Sequence, residues 1–174
     1  MKERDVIYFR IWRRVIAKRV KNGEHYEDYL FKTGMWIRDE ENIIENHLME
    51  FESFEPKESP DQINNSDHLI KMVEISKEEA ISIMNEEILN ILKNDWKNRF
   101  KKKKEEWDKD PGWLSKLVST DFKLNGKWYT IMPEDIGLTS DGWDQGFMET
   151  IQGEIEKDLE KYGATKVYNH GFID

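Results

Sequence analysis

The sequence predicts an α+β fold, and three observations predict it. From His68 onward, hydrophobic periods and turn signals alternate in the order strand, helix, strand, strand, helix, strand. Two long stretches, Ser76–Trp107 and Asp144–Tyr162, carry apolar stripes at helical spacing. Between them, Asn125-Gly126 sits at the centre of an alternating run, the composition of a type I′ hairpin turn. That order matches the ferredoxin-like βαββαβ arrangement over residues 68–170, with two right-handed crossovers and both helices on one sheet face. The residues ahead of it read as a mainly helical N-terminal extension.

Each element has a local reason. In Asp5–Val20, Ile7, Ile11, Trp12, Val15, Ile16 and Val20 suit one helix face, with Arg10, Arg14, Lys18 and Lys21 opposite. The β-branched content suits a strand too, with Asn22-Gly23 as a turn into His25–Phe31, but the basic stripe favours helix. Glu24–Ile37 is aromatic-rich and broken at Gly34. In Asp39–Phe51, Ile43, Ile44, His47, Leu48 and Phe51 share a helix face. Pro56, Pro60 and Asn64-Asn65-Ser66-Asp67 mark a linker. Three regions follow: a basic-armed segment 1–58, a linker 59–67 and an α+β core 68–174.

His68–Ile75 alternates as a strand. Ser76 opens a capping box with Glu79 ahead of Ile81, Met84, Ile88, Ile91, Leu92 and Trp96. An unbroken helix of about 30 residues spans roughly 45 Å, so its end either projects past the sheet edge or breaks near Lys101. Pro111-Gly112 stops it, and Trp113, Leu117 and Val118 make a short apolar turn. Asp121–Ile131 is the hairpin and Glu134–Trp143 a loop. Phe147, Met148, Ile151, Ile155, Leu159 and Tyr162 stripe the last helix, with Gly163 placed as its left-handed cap. Ala164–Tyr168 closes as a strand, and Asn169–Asp174 is a tail.

The 174 residues are 37% hydrophobic and 36% charged, a wet surface around a modest core. Seven Trp, six Tyr and eight Phe argue against disorder. No run approaches the apolar length of a membrane span. Arg10, Arg13 and Arg14 interrupt any secretory h-region, and cysteine is absent, so a reducing cytoplasm is the expected location. The net charge of −9 is uneven: Met1–Lys21 holds eight basic and two acidic residues, whereas Glu24–Glu58 holds three and eleven. An acidic body disfavours general binding to nucleic acid or anionic membrane.

Catalytic signatures are missing. There is no GxSxG elbow, phosphate-binding GxxxxGK[ST], GxGxxG or HExxH, and the four histidines have no ligand spacing. The loop Gly137–Gly146 is the one candidate site. Asp141 or Asp144 is a natural N-cap for the helix that follows, and Trp143 between them can anchor a protein partner. Trp12 and Arg13 in the basic arm and Trp107 at the end of the long helix complete the expected partner-binding set. The four lysines Lys101–Lys104 read first as a solvated helix end complementing the dipole.

The expected function is therefore that of a small acidic, non-enzymatic protein-binding module of the inhibitor, immunity or phage-accessory type, without cofactor. It acts on a partner protein, or on a second copy of itself as a homodimer. The alternative is a divalent-metal hydrolase using Glu134, Asp135, Asp141 and Asp144, with Asp174 or His170 as further ligands. The third reading is nucleic-acid binding through the basic arm and Lys101–Lys104, with Trp12 stacking.

Overall fold

The computed structural model describes residues 5–11, 15–53 and 72–173. Strands and helices coexist and every pairing is antiparallel, so the fold is α+β. The chain divides into two compact units, Met1–Glu87 and Ile88–Asp174. The expected linker 59–67 lies outside the described residues.

The first unit is built on strands β1 (Val6–Ile11), β2 (Val15–Asn22), β3 (His25–Lys32), β4 (Met35–Arg38) and β5 (Met72–Ile75), ordered β4-β3-β2-β1-β5. The helix expected over residues 5–20 is thus corrected to two strands. The 3-and-4 spacing that suggested it comes from two strands of opposite direction, both of whose faces are partly buried: Phe9, Ile11 and Ala17 lie on one face, Ile16 and Val20 on the other. β-Branched residues favour that pleated setting. The turn into β3 forms one residue later than expected: Asn22 ends β2 opposite His25, and Gly23-Glu24 make the turn, with Gly23 at φ +68.

Helix α1 (Ile43–Ser53) covers the first face, where Ile44 packs with Phe9, Ile11, Ala17 and Leu30. Asp39 caps it, accepting from the backbone N–H groups of Ile43 and Ile44 at 3.0 and 2.9 Å. Arg19 forks onto Asp28 at 2.8 and 2.9 Å and also bonds Glu45. The basic arm therefore spends a cation on its own acidic neighbours. On the other face Lys18 lies 4.3 Å from the Trp36 ring, and burial pushes its ammonium pKa down.

The ferredoxin-like core over residues 68–170 is the second correction. Its intended first strand, β5, pairs with β1 through Phe9↔Glu74 and Ile11↔Met72. The second unit is left with three strands, β6 (Ser115–Leu124), β7 (Lys127–Ile131) and β8 (Lys166–Ile173), ordered β7-β6-β8. The hairpin forms as expected, with Asn125 at φ +50 and Gly126 at φ +83. β8 runs through the residues expected as a tail.

Helix α2 (Lys77–Arg99) starts on its cap, the Glu79 N–H donating to Ser76 Oγ at 3.1 Å. The expected break near Lys101 occurs at Phe100 (φ −91, ψ 0), and α3 (Lys101–Lys109) follows. Phe100 and Trp107 are both buried, so the aromatic end folds back and does not project. A 3-10 turn, Pro133–Ile136, leads to α4 (Gly142–Lys161), which packs on β6. The interior of this unit includes Val118, Phe122 and Leu124 of β6 with Met148, Ile151, Ile155 and Leu159 of α4. Trp96 is fully buried, and its Nε1 donates to Asp158 of α4 at 2.8 Å.

Candidate interaction surface

Two glycines place the start of α4. A Cβ on Gly142 would meet the Ser115 carbonyl oxygen at 2.7 Å, and one on Gly146 would meet that of Trp113 at 2.3 Å. These positions are four apart, so they share one helix face. Only hydrogen in place of a side chain lets that face lie flush on the backbone leading into β6. The Gly-Trp-Asp-Gln-Gly run was the available sequence signal; its glycines serve close packing rather than loop flexibility.

The loop residues then fall into place. Asp141 caps α4, accepting from the Asp144 N–H at 2.8 Å. Asp144 is buried; one oxygen accepts from Thr139 N and Oγ1 at 2.8 and 2.9 Å, and the other lies 3.1 Å from Lys104 Nζ. Burial raises the Asp144 carboxyl, but the bonds from Thr139 and Lys104 outweigh it and hold its pKa below the usual range. Burial likewise lowers Lys104, and its bonds to Asp108 and Asp144 more than reverse this.

A depressed carboxyl pKa stabilises the fold above the ordinary value near 4 and ceases to do so as pH falls through the folded value. The raised Lys104 pKa acts only at the alkaline end, its contribution present at neutral pH. Asp144→Asn is expected to cost about 1–3 kcal/mol at pH 7. Urea titrations at pH 7 and pH 3 check this: the gap to the native chain should narrow in acid. An equal gap at both values would refute the ion-pair account.

Trp107 joins this loop from α3. Its Nε1 donates to the Trp143 carbonyl at 3.2 Å, and its ring meets Trp113 edge-on at 5.7 Å. Trp143 Nε1 donates to Asp108 at 3.2 Å. Trp107 is only 9% exposed, whereas Trp113 and Trp143 are 36% and 39% exposed, beside Leu114 at 48%. Trp107 is therefore the support, and Trp113 and Trp143 are the surface. The structure brings together Asp141, Trp143, Asp144 and Trp107; Trp12 and Arg13 lie outside the described residues. Trp113 was missed because it reads, with Leu117 and Val118, as a short apolar turn, and Leu114 beside it carries no signal of its own.

The carboxylates considered for a metal do not converge. Among the described residues no group of three or more His, Asp or Glu side chains is placed to hold an ion. Asp135 accepts from Met132 N at 2.7 Å and lies 3.5 Å from Lys93, while Glu134 is exposed. His170 pairs with Asp121 at 3.0 Å, and Asp174 is outside the described residues. In the lysine run, Lys103 pairs with Glu154 at 2.8 Å and Lys104 with Asp108 and Asp144. Among the described residues no helix is long and apolar enough to cross a membrane. Neither protein-family models, nor curated proteins, nor solved structures provide a match to this chain.

Proposed function

We propose that this chain is a small acidic protein-binding module that acts by covering a partner's surface, in the manner of inhibitors, immunity proteins and phage accessory proteins. One observation carries the reading: Trp113 and Trp143 stand part-exposed on a buried tryptophan, held by hydrogen bonds and close glycine packing. Tryptophans preset in this way lose little side-chain freedom on binding, and Trp is the residue most enriched at interface hot spots. Asp108 and Asp141 flank them, and the chain's charge of −9 steers association with a basic partner.

The test compares partners retained from native lysate by the immobilised chain and by its Trp113→Ala/Trp143→Ala variant. Each hot-spot truncation is expected to cost about 2 kcal/mol or more, roughly a 30-fold loss of affinity. Retention should also fall as salt rises. Partners that bind both proteins equally, with the variant's circular dichroism unchanged, would refute this surface.

A further inference from the structure

The sheet of the second unit has α4 packed on one face; on the other, Trp128, Thr130, Tyr168 and His170 are exposed. Phe122 and Leu124 point inward and are fully buried, so Asp121 and Lys123 between and beside them point out. The register fixes the outward neighbours. Lys123 lies between Trp128 of β7 and Lys166 of β8, and Asp121 lies between Thr130 and Tyr168. His170 stands one row further along, opposite Ser119.

Three features of this face call for a ligand. Trp128 and Tyr168 are each 52% exposed and lie parallel, with ring centroids 6.1 Å apart and planes 18° from each other. An exposed aromatic pair of this kind offers a face on which a planar ring can stack. Lys123 and Lys166 are directly opposite in the register of β6 and β8, a like-charge pairing that is unfavourable and that a bound anion would relieve. Among the described residues neither forms an ion pair; Lys123 Nζ lies 6.0 Å from the Trp128 ring. At the other end, Asp121 accepts from Thr130 Oγ1 at 2.7 Å and holds His170 Nε2 at 3.0 Å, leaving the second ring nitrogen available. Asp121, Trp128, Tyr129, Thr130, Tyr168 and His170 line an open hollow of about 420 Å³, and Lys123 and Lys166 lie beside it, in the row next to Asp121.

We propose that this hollow binds a nucleoside monophosphate. Its base stacks on Trp128 and Tyr168, its phosphate lies between Lys123 and Lys166, and the base edge meets Asp121, Thr130 and His170. A planar ring uses the parallel aromatic pair, and the anion relieves the lysine pair. Tyr168 and Asp121 lie one row from the lysines, about 7 Å along the strand and the scale separating a base from its phosphate, whereas Trp128 shares the lysines' row. The occupant is one nucleotide and not a strand. Two cations neutralise one phosphate, and Asp121, within a chain of net charge −9, repels a second.

The test is a nuclear magnetic resonance titration of the full chain with AMP and UMP, following the indole N–H signals. Adenosine, inorganic phosphate, glucose 6-phosphate and a single-stranded hexanucleotide serve as separate arms. The nucleotides are expected to shift one indole signal saturably, and Trp128→Ala to remove that signal and weaken binding about tenfold. Lys123→Ala/Lys166→Ala should leave the fold intact and reduce nucleotide affinity to that of adenosine. Absence of a saturable indole shift with either nucleotide overturns the proposal. So does equal binding of glucose 6-phosphate, which lacks a planar ring, or tighter binding of the hexanucleotide, which would mark a strand-binding surface. Retention of full affinity by both variants also overturns it.

Discussion

Trp96→Ala is expected to destabilise the chain by about 3–5 kcal/mol, the range for deleting a large buried aromatic. The indole is fully buried, and it makes a second contribution through Nε1, which donates to Asp158 at 2.8 Å. Asp158 also holds Arg99, so one carboxylate of α4 fixes two residues of the turn before the break at Phe100. Trp96→Phe keeps most of the ring volume and loses the donor, and should cost about 1 kcal/mol. Urea unfolding followed by far-ultraviolet circular dichroism separates the two. Equal losses for Phe and Ala would mean that the hydrogen bond, not the packing, dominates.

Gly146→Ala should have the second large effect, and its sign is the informative part. Alanine in place of glycine inside a helix ordinarily stabilises by about 1 kcal/mol. On the same helix, a methyl at Gly153 would have nothing within 4 Å, so Gly153→Ala should show that gain. At Gly146 the methyl would meet a backbone oxygen at 2.3 Å and the Trp107 ring at 3.0 Å. A carbonyl cannot rotate aside as a side-chain tip can, so α4 must lift off the 113–115 backbone. Overpacking typically costs 1–3 kcal/mol, and a backbone obstacle places this case at about 3 kcal/mol. Trp143 sits between Gly142 and Gly146, so the same substitution should weaken partner retention as much as removing an indole. A stabilising Gly146→Ala, measured beside Gly153→Ala, would show that the close contact is not a constraint.

Parts of this molecule could be read directly. The stripe from Phe147 to Leu159 is buried on α4, and Asn125-Gly126 closes the hairpin with both residues at positive φ. Ser76 caps α2 and the long helix breaks beside Lys101. Each depends on residues within a few positions of one another. The candidate loop was legible for the same reason: Asp141 is an N-cap, a relation spanning three residues. Trp113 is different. Its carbonyl matters because Gly146 rests against it and its ring because Trp107 does, and both partners come from other elements.

Residues close together in the chain set the alternation of strands and helices in the second half and the caps and turns that bound them, and composition set the net charge of −9 and the seven tryptophans. Which strand pairs with which depends on contacts between distant parts of the chain. Met72–Ile75 has the alternation of a strand, but period 2 specifies a face and not a neighbour. Its unpaired backbone groups can be satisfied at the edge of either sheet. Pairing with β1 turned an expected four-stranded core into five strands and three. The same sheet of three strands, with α4 packed on one face, leaves Trp128 and Tyr168 exposed on the other.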